Sequence, residues 1–162
     1  MFKEIQNYNY KKTVDFDFNA LADLIATMQY KQAVEKIKTL IAVIDLDNLP
    51  FEKNSYTRSL IIDNEKYWLG LLNWDKGAAT RIHGHPDHAF VYVLKGHLSC
   101  KNFDKNQLTE LGGSELSAEE CRYNKGVEGK MDNYIHQINA TEKSVSLHFY
   151  SDNPSKGEVF DL

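Results

Sequence analysis

The chain has 162 residues, of which 42% are hydrophobic and 26% are charged, and its formal net charge is −4 at pH 7. This is the composition of an ordinary soluble globular protein with one sizeable core, so we expect a single domain over residues 1–162. No basic patch interleaves with aromatic residues, which argues against nucleic-acid binding. No apolar run approaches the ~20 residues that span a bilayer, which argues against a membrane protein.

The cysteine content and the first residues predict a reducing compartment. Cys100 and Cys121 are the two cysteines, too few for the disulfide framework of a small secreted domain. Residues 1–7 lack the apolar segment of an export signal. We therefore expect a cytoplasmic protein, and a monomer, whose partners are small molecules.

The first fifty residues are predicted to form a helical cap. One helix is expected over residues 17–28, with Asp17 or Asn19 capping its start. Its inward residues follow helical spacing: Leu21, Leu24, Ile25 and Met28. A second helix is expected over residues 32–44, with this inward set: Val34, Ile37, Ile41 and Ile44. Pro50 ends the helical region.

The composition and spacing of residues 51–162 are typical of a β-rich domain. Strands are predicted over 56–62, 67–74, 81–85, 89–94, 97–103, 115–116, 121–124, 134–139 and 144–150. Glycines separate several of them. Many short strands at close spacing favour an antiparallel sandwich or barrel. The segment 152–157 is predicted to follow the surface without regular structure.

Two histidines stand one residue apart in the predicted strand 81–85. Successive side chains of a strand point to opposite faces, so His83 and His85 share one face, about 6–7 Å apart. Imidazole suits zinc, copper, iron and nickel, and three protein ligands leave positions open for substrate. His136, in a later β-branched segment, is a candidate third ligand. Taken alone, His136 fits a hydrogen-bonded, half-buried histidine better than a ligand.

The last predicted strand alternates polar and apolar residues. Ser146, His148 and Tyr150 share one face. The other face carries Val145, Leu147 and Phe149, which we expect in the core. A polar row opposite an apolar row is also typical of a strand with one solvated face.

The spacing around the paired histidines resembles the first motif of the cupins. Gly77, His83, His85 and Gly96 fit that motif, whereas Ala89 occupies its acidic position. This departure is typical of thiol dioxygenases. Four other features resemble the cysteine dioxygenase family: the segments 56–58 (Tyr-Thr-Arg) and 146–151 (Ser-Leu-His-Phe-Tyr-Ser), Trp74 before Gly77, and the position of His136.

The resemblance implies a mainly β fold: a cupin-type antiparallel, jelly-roll-like barrel with N-terminal helices. It implies Fe(II) held by three histidines, His83, His85 and His136. Arg58 would bind the substrate carboxylate and Tyr56 would help shape the pocket. Without the motif, Arg58 would be interpreted as an exposed arginine on an edge strand, because most arginines in strands lie at the surface.

The resemblance also implies a hydrogen-bonded relay from Ser146 through His148 to Tyr150, whose hydroxyl would reach towards the iron. Because Ala89 replaces the cysteine that animal members crosslink to this tyrosine, Tyr150 is expected as an unmodified phenol. Three weaker expectations concern Trp74 as a core residue, His88 as either exposed or behind the ligands, and His97 as solvent-facing.

The implied activity is the oxidation of L-cysteine by O2 to cysteine sulfinate. Two alternatives stay open at this point. The first is a dioxygenase of another small thiol such as 3-mercaptopropionate, whose relatives often carry glutamine at the position of Arg58. The second is a cupin that binds a small ligand or metal without turnover, since a fold alone does not fix function.

Overall fold

A computed structural model describes residues 5–160, in which two helices pack on one of two facing β-sheets. Residues 1–4 and 161–162 lie outside this range. They include part of the segment 1–7 on which the export-signal prediction was based, and the end of the predicted barrel. The helices are α1 (Phe18–Ala26) and α2 (Tyr30–Ile41). The strands are β1 (Gln6–Asn9), β2 (Tyr56–Asp63), β3 (Trp68–Trp74), β4 (Ile82–His85), β5 (His88–Lys95), β6 (His97–Phe103), β7 (Glu110–Ser117), β8 (Cys121–Lys125), β9 (Asn133–Ala140), β10 (Ser144–Tyr150) and β11 (Val159–Phe160).

The strands form two sheets whose inner faces enclose the site. One sheet has the order β1-β2-β3-β10-β5-β8 and the other β11-β4-β9-β6-β7. The neighbours are antiparallel, apart from β1, which runs parallel to β2. The predicted mainly β, antiparallel architecture is therefore confirmed. Within residues 5–160, neither helix is long and apolar enough to cross a membrane.

Helix α1 begins as predicted and ends early. The Oδ1 of Asp17 accepts a hydrogen bond from the backbone N–H of Ala20 at 3.0 Å, which caps the first turn. Leu21 and Ile25 are fully buried. The prediction that Met28 faces inward is wrong. The helix ends at Ala26, and Met28 takes the left-handed φ of 60° that turns the chain, which leaves its side chain exposed.

Helix α2 is rotated relative to the prediction. Its buried residues are Ala33, Ile37 and Leu40, whereas the predicted residues other than Ile37 lie half-buried at the edges of the contact: Val34, Ile41 and Ile44. The prediction followed the large β-branched residues alone. It omitted Ala33, whose small side chain lies at the centre of the packed face.

Two hydrophobic clusters share the six-stranded sheet as their wall. The outer cluster lies between the helices and this sheet, and the inner cluster lies between the two sheets. The outer cluster contains Val145, Leu147 and Phe149 of β10, as predicted. The polar residues of β10 face inward and are buried, so the alternative of a solvated strand face is wrong.

The C-terminal segment is ordered against β4, which corrects the prediction of an irregular surface tail. A 3₁₀ turn covers Pro154–Lys156, and β11 then pairs with β4. The backbone N–H of Gly84 donates to the carbonyl of Glu158 at 2.8 Å. The physical reason is the free edge of β4, whose backbone groups would otherwise lack partners.

A Gly157→Ala substitution tests this closure. A Cβ at position 157 would overlap the carbonyl oxygen of Gly84, which is backbone and cannot rotate away. We expect a loss of about 1–3 kcal/mol in the free energy of unfolding, as for other overpacked sites, measured by denaturant titration. The control Lys156→Ala alters an exposed ion pair and should change the value by less than ~0.5 kcal/mol. Equal stability of the two variants would show that the tail does not pack on β4.

Candidate functional site

Three histidines converge between the sheets. One ligand atom from each of His83, His85 and His136 lies within 4.8 Å of the others. The ring centroids are 4.7 Å apart for His83 and His85, 4.8 Å for His83 and His136, and 4.4 Å for His85 and His136. The three rings thus form a group of a size that could hold one metal ion.

The pairing of β4 with β9 brings the rings together. His83 stands directly opposite His136, and His85 stands opposite Asn133, with a register shift between the two pairs. A bulge of this kind bends a strand and redirects its side chains. The side chain of Asn133 fixes the start of β9, because it donates to the carbonyls of Val127 and Lys130 and accepts from the N–H of Val127.

Backbone carbonyls orient two of the rings. The Nδ1 of His83 donates to the carbonyl of Arg81 at 2.8 Å. The Nδ1 of His85 lies 2.9 Å from the carbonyl of Tyr134. Because a carbonyl can only accept, both rings carry their proton on Nδ1 and keep the Nε2 lone pair free. This is the arrangement in which a histidine binds a metal through Nε2.

His136 provides the clearest sign of a missing partner. Both of its ring nitrogens are buried, and neither has a hydrogen-bond partner within residues 5–160. A buried polar atom without a partner is costly, and native proteins rarely keep one unless a ligand or water satisfies it. A metal ion would satisfy a ring nitrogen of His136, so these residues fit the group that the sequence predicts.

The electrostatics keep the three rings neutral. Burial lowers the pKa of His83 to about 4 and that of His85 to about 3, with His83 also repelling charge on His85. Burial, followed by the two neighbouring histidines, holds the pKa of His136 well below its usual value. A neutral imidazole is the form that binds metals, so no proton must be displaced at pH 7.

A small cavity beside the histidines collects most of the predicted site residues. Its lining consists of Tyr56, Arg58, Leu72, Trp74, Thr80, His83, His85, Ile138, His148, Tyr150 and Pro154. None of these residues is acidic, and Ala89 likewise supplies no carboxylate. Of the predicted site residues, His136 and Ser146 do not line this cavity; Ser146 bonds to His148 behind its wall.

Arg58 brings a positive charge to this cavity. Strand β2 lies between β1 and β3, so Arg58 is not on an edge strand, and its side chain is half-buried. Its Nε is buried without a hydrogen-bond partner in the described part of the chain. Arg58 also opposes positive charge on His83 and His148. A planar, permanently charged guanidinium in a pocket without acidic residues suits a carboxylate ligand.

A chain of hydrogen bonds leads from the core to Tyr150. The Nε1 of Trp74 donates to the Oγ of Ser146 at 2.8 Å. The Oγ of Ser146 lies 2.6 Å from the Nε2 of His148, and the Nδ1 of His148 lies 2.8 Å from the hydroxyl of Tyr150. Trp74 is thus a core residue, as predicted, and also the start of this chain.

The chemistry of the donors sets the direction of the chain. An indole N–H can only donate, so Ser146 accepts from Trp74 and has one O–H left to give. Its acceptor within the described residues is the Nε2 of His148, and the Nδ1–H of His148 then donates to Tyr150. The O–H of Tyr150 is left free to donate into the cavity. Burial raises the pKa of Tyr150, which keeps the phenol protonated.

The site also contains residues that were not predicted, among them Tyr134, Asn133 and Pro154. Tyr134 packs edge-on to His136 at 4.9 Å between ring centroids and has a left-handed φ of 49°, a conformation that is uncommon for residues other than glycine. Asn133 holds the start of β9, and Pro154 lines the Arg58-containing cavity. The local sequence gave no periodic signal for any of them, although an asparagine before a β-rich segment is typical of a turn.

The weaker expectations have mixed outcomes. His88 is buried rather than exposed, and its Nε2 lies 2.6 Å from the hydroxyl of Tyr30 in α2. His97 is half-buried and pairs with Glu115 at 2.7 Å. Both cysteines are free thiols, and burial raises the pKa of Cys100 to about 11.

Comparison with known families identifies the family of this chain. The sequence model described as cysteine dioxygenase type I matches residues 18–161, which is most of the chain. The chain belongs to the cysteine dioxygenase family. The resemblance stated from the motifs is thereby confirmed.

Relatives within this family are moderately similar. Cysteine dioxygenase type 1 of Danio rerio is 32% identical over 119 residues, which cover 68% of this chain and 58% of that protein. The Homo sapiens protein is 30% identical over 149 residues, covering 81% of this chain and 74% of that protein. The match to the Rattus norvegicus protein covers 53% of its length, so the chain spans little more than half of some relatives.

Solved structures support the fold. A protein with a double-stranded β-helix domain from Klebsiella pneumoniae superposes with a TM-score of 0.56 at 12% identity, covering 74% of this chain and 96% of that one. A cupin superfamily protein from Desulfitobacterium hafniense gives a TM-score of 0.53 at 11% identity, covering 67% and 87%. The cupin-type fold predicted from the sequence is therefore confirmed.

Single substitutions test the three histidines as a metal-binding group. Replacing His83, His85 or His136 by alanine should weaken the affinity for Fe(II) or Co(II) by at least ~100-fold, since removal of even an outer hydrogen-bond partner costs about 10–100-fold. Chelator competition under anaerobic conditions measures the affinity.

His97→Ala is the matched control for these variants, because His97 lies on β6 and pairs with Glu115. It should retain the affinity of the unaltered protein. Retention of tight binding in any of the three site variants would remove that histidine from the group.

Proposed function

We propose that the protein is a thiol dioxygenase that uses Fe(II) to oxidise L-cysteine with O2 to cysteine sulfinate. Membership of the cysteine dioxygenase family supports this activity. The observation that carries the proposal is that three neutral histidines converge beside a small cavity lined by Arg58, His83 and His85 and by no carboxylate. A positive charge and open metal positions together suit a substrate that has both a carboxylate and a thiol.

The three histidines His83, His85 and His136 would hold the iron. When bound, iron supplies the redox chemistry with O2 and stabilises the substrate sulfur as a thiolate. Imidazole ligands alone would favour copper or zinc by affinity, so the metal found after purification need not be the active one.

Arg58 would bind and orient the cysteine carboxylate. Two parallel N–H donors match the two carboxylate oxygens, which fixes the orientation of the amino acid as well as its position. Tyr56 lies beside Arg58 in the lining, and its ring stacks on Trp74 at 4.6 Å between centroids. This contact holds one wall of the pocket in place, so that the thiol end of the substrate faces the histidines.

Tyr150 would donate a hydrogen bond into the cavity where charge develops on oxygen. Trp74, Ser146 and His148 position it, because their hydrogen bonds end on the Tyr150 oxygen and leave its proton free. The burial of this row excludes water from one side of the site, which strengthens each hydrogen bond there.

Three further expectations stay predictions: a single domain over residues 1–162, a monomer, and a cytoplasmic location. The proposed substrates are small molecules, in keeping with the enclosed cavity.

Product analysis tests the proposed function. The protein is loaded anaerobically with Fe(II) and given L-cysteine or 3-mercaptopropionate side by side in buffer equilibrated with 18O2, and sulfinate is measured by mass spectrometry. We expect cysteine sulfinate carrying two labelled oxygen atoms, formed faster than the 3-mercaptopropionate product. A faster reaction with 3-mercaptopropionate would reassign the substrate. Metal binding without sulfinate from either thiol would favour a cupin that binds ligands without turnover.

Arg58→Ala tests the carboxylate contact. Loss of a charge-assisted, paired hydrogen bond should raise KM for cysteine by about 100-fold, while the iron content stays unchanged. Turnover of cysteamine, which has no carboxylate, should be insensitive to the substitution. The control Lys95→Ala removes an exposed ion pair with Asp47 and should leave both reactions unaltered. An unchanged KM for cysteine in Arg58→Ala would contradict the assigned contact.

A further inference from the structure

A second cavity reaches two of the three histidines, His85 and His136, from another part of the barrel interior. Its lining consists of His85, Ala89, Phe90, Val91, Arg122, Tyr123, Asn124, Tyr134, His136, Ile138, His148 and Tyr150. It contains neither Arg58 nor Tyr56. We refer to it as the β5–β8 cavity, and to the cavity with Arg58 as the Arg58 cavity.

The two cavities share four lining residues, three of which carry rings. His85, His148, Tyr150 and Ile138 line both of them. The rings of His85 and Tyr150 stack with centroids 5.6 Å apart and planes 22° apart, and Tyr150 is tied to His148 by a hydrogen bond of 2.8 Å. The three shared rings are therefore held in place by contacts with one another.

The three histidines divide between the two cavities. His83 lines the Arg58 cavity alone, His136 lines the β5–β8 cavity alone, and His85 lines both. The group thus borders both cavities.

The two cavities differ in chemistry. The surface that lines the β5–β8 cavity is almost entirely carbon, whereas that of the Arg58 cavity is about half polar. The charged groups of an amino acid would find no hydrogen-bond partners in the β5–β8 cavity, which makes its binding there costly. A small apolar molecule has no such groups and incurs no such cost. The cavity has a volume of about 20 Å³. One water-sized molecule needs ~10–15 Å³, so the cavity can hold one.

The cavity extends to the edge of the six-stranded sheet. Arg122, Tyr123 and Asn124 of β8, an edge strand, form part of its lining, and Tyr123 is 52% exposed. Ala89 stands opposite Tyr150 in the pairing of β5 with β10, and its small side chain leaves room beside the ring. A larger side chain at this position would fill the cavity.

We propose that the β5–β8 cavity is a binding and entry site for O2, separate from the Arg58 cavity that takes the thiol, and that Val91 controls its width. This proposal rests on the proposed function for the identity of the gas. Val91 lines the β5–β8 cavity and not the Arg58 cavity, whereas Leu72 lines only the latter. The two residues therefore give a matched pair of substitutions.

Xenon tests the site without any reaction. Crystals of the unaltered protein pressurised with xenon, which is apolar and of comparable size to O2, should show a xenon atom beside Val91 and Ile138 in the anomalous map. The same experiment on Val91→Phe should show none there. Absence of xenon from this cavity in the unaltered protein would overturn the proposal, even if the variant fails to fold.

Kinetics test the separation of the two routes in the iron-loaded protein. Val91→Phe should raise KM for O2 several-fold and leave KM for cysteine within about twofold. Leu72→Phe should do the reverse. Thermal unfolding and iron content check that both variants are intact, with Val91→Ile as a milder form. An unchanged KM for O2 in Val91→Phe, or an equal rise in both constants, would overturn the assignment.

The two proposals fail in different ways. If the unaltered protein makes no sulfinate from either thiol, the proposed function fails, while xenon still decides whether the cavity admits a small apolar molecule. If sulfinate forms but xenon is absent from the β5–β8 cavity, the O2 route fails alone.

Discussion

The pairing of β4 with β9 is the constraint on which the rest of the site depends. It sets His83 opposite His136, and the register shift that follows lets His85 turn towards the same point. A slip of one residue would move the β9 side chain to the other face of the sheet. β11 covers one edge of β4, and the side chain of Asn133 fixes the start of β9, so the register is held from both sides.

Strand β10 connects the stability of the fold to the chemistry of the site. Leu147 and Phe149 pack under the helices, while His148 and Tyr150, one residue away in each case, face the cavity. The two helices therefore act on the site through this strand and its neighbours. A disturbance of the outer cluster would alter the position of Tyr150 without any contact to the substrate, since packed interiors transmit small shifts.

Local periodicity was sufficient to predict most helices and strands. The strand register and the course of the C-terminal segment depend on long-range contacts instead. Alternation in a strand was sufficient to place His83 and His85 on one face and to separate the two faces of β10. The sequence could not show the register that brings His136 to them, because pairing of distant strands depends on the whole sheet. Nor could it show that the tail with Pro154 would supply β11, since a two-residue strand carries no periodic signal. The exposed Met28 shows the same limit for helix ends.

The proposed site is tested most directly by an anomalous-diffraction structure of the Fe(II)-loaded protein with L-cysteine, prepared without oxygen. We expect one iron peak bonded by His83, His85 and His136, with the cysteine carboxylate on Arg58 and its sulfur on the metal. An iron peak elsewhere, or a shell completed by an aspartate or glutamate, would contradict it.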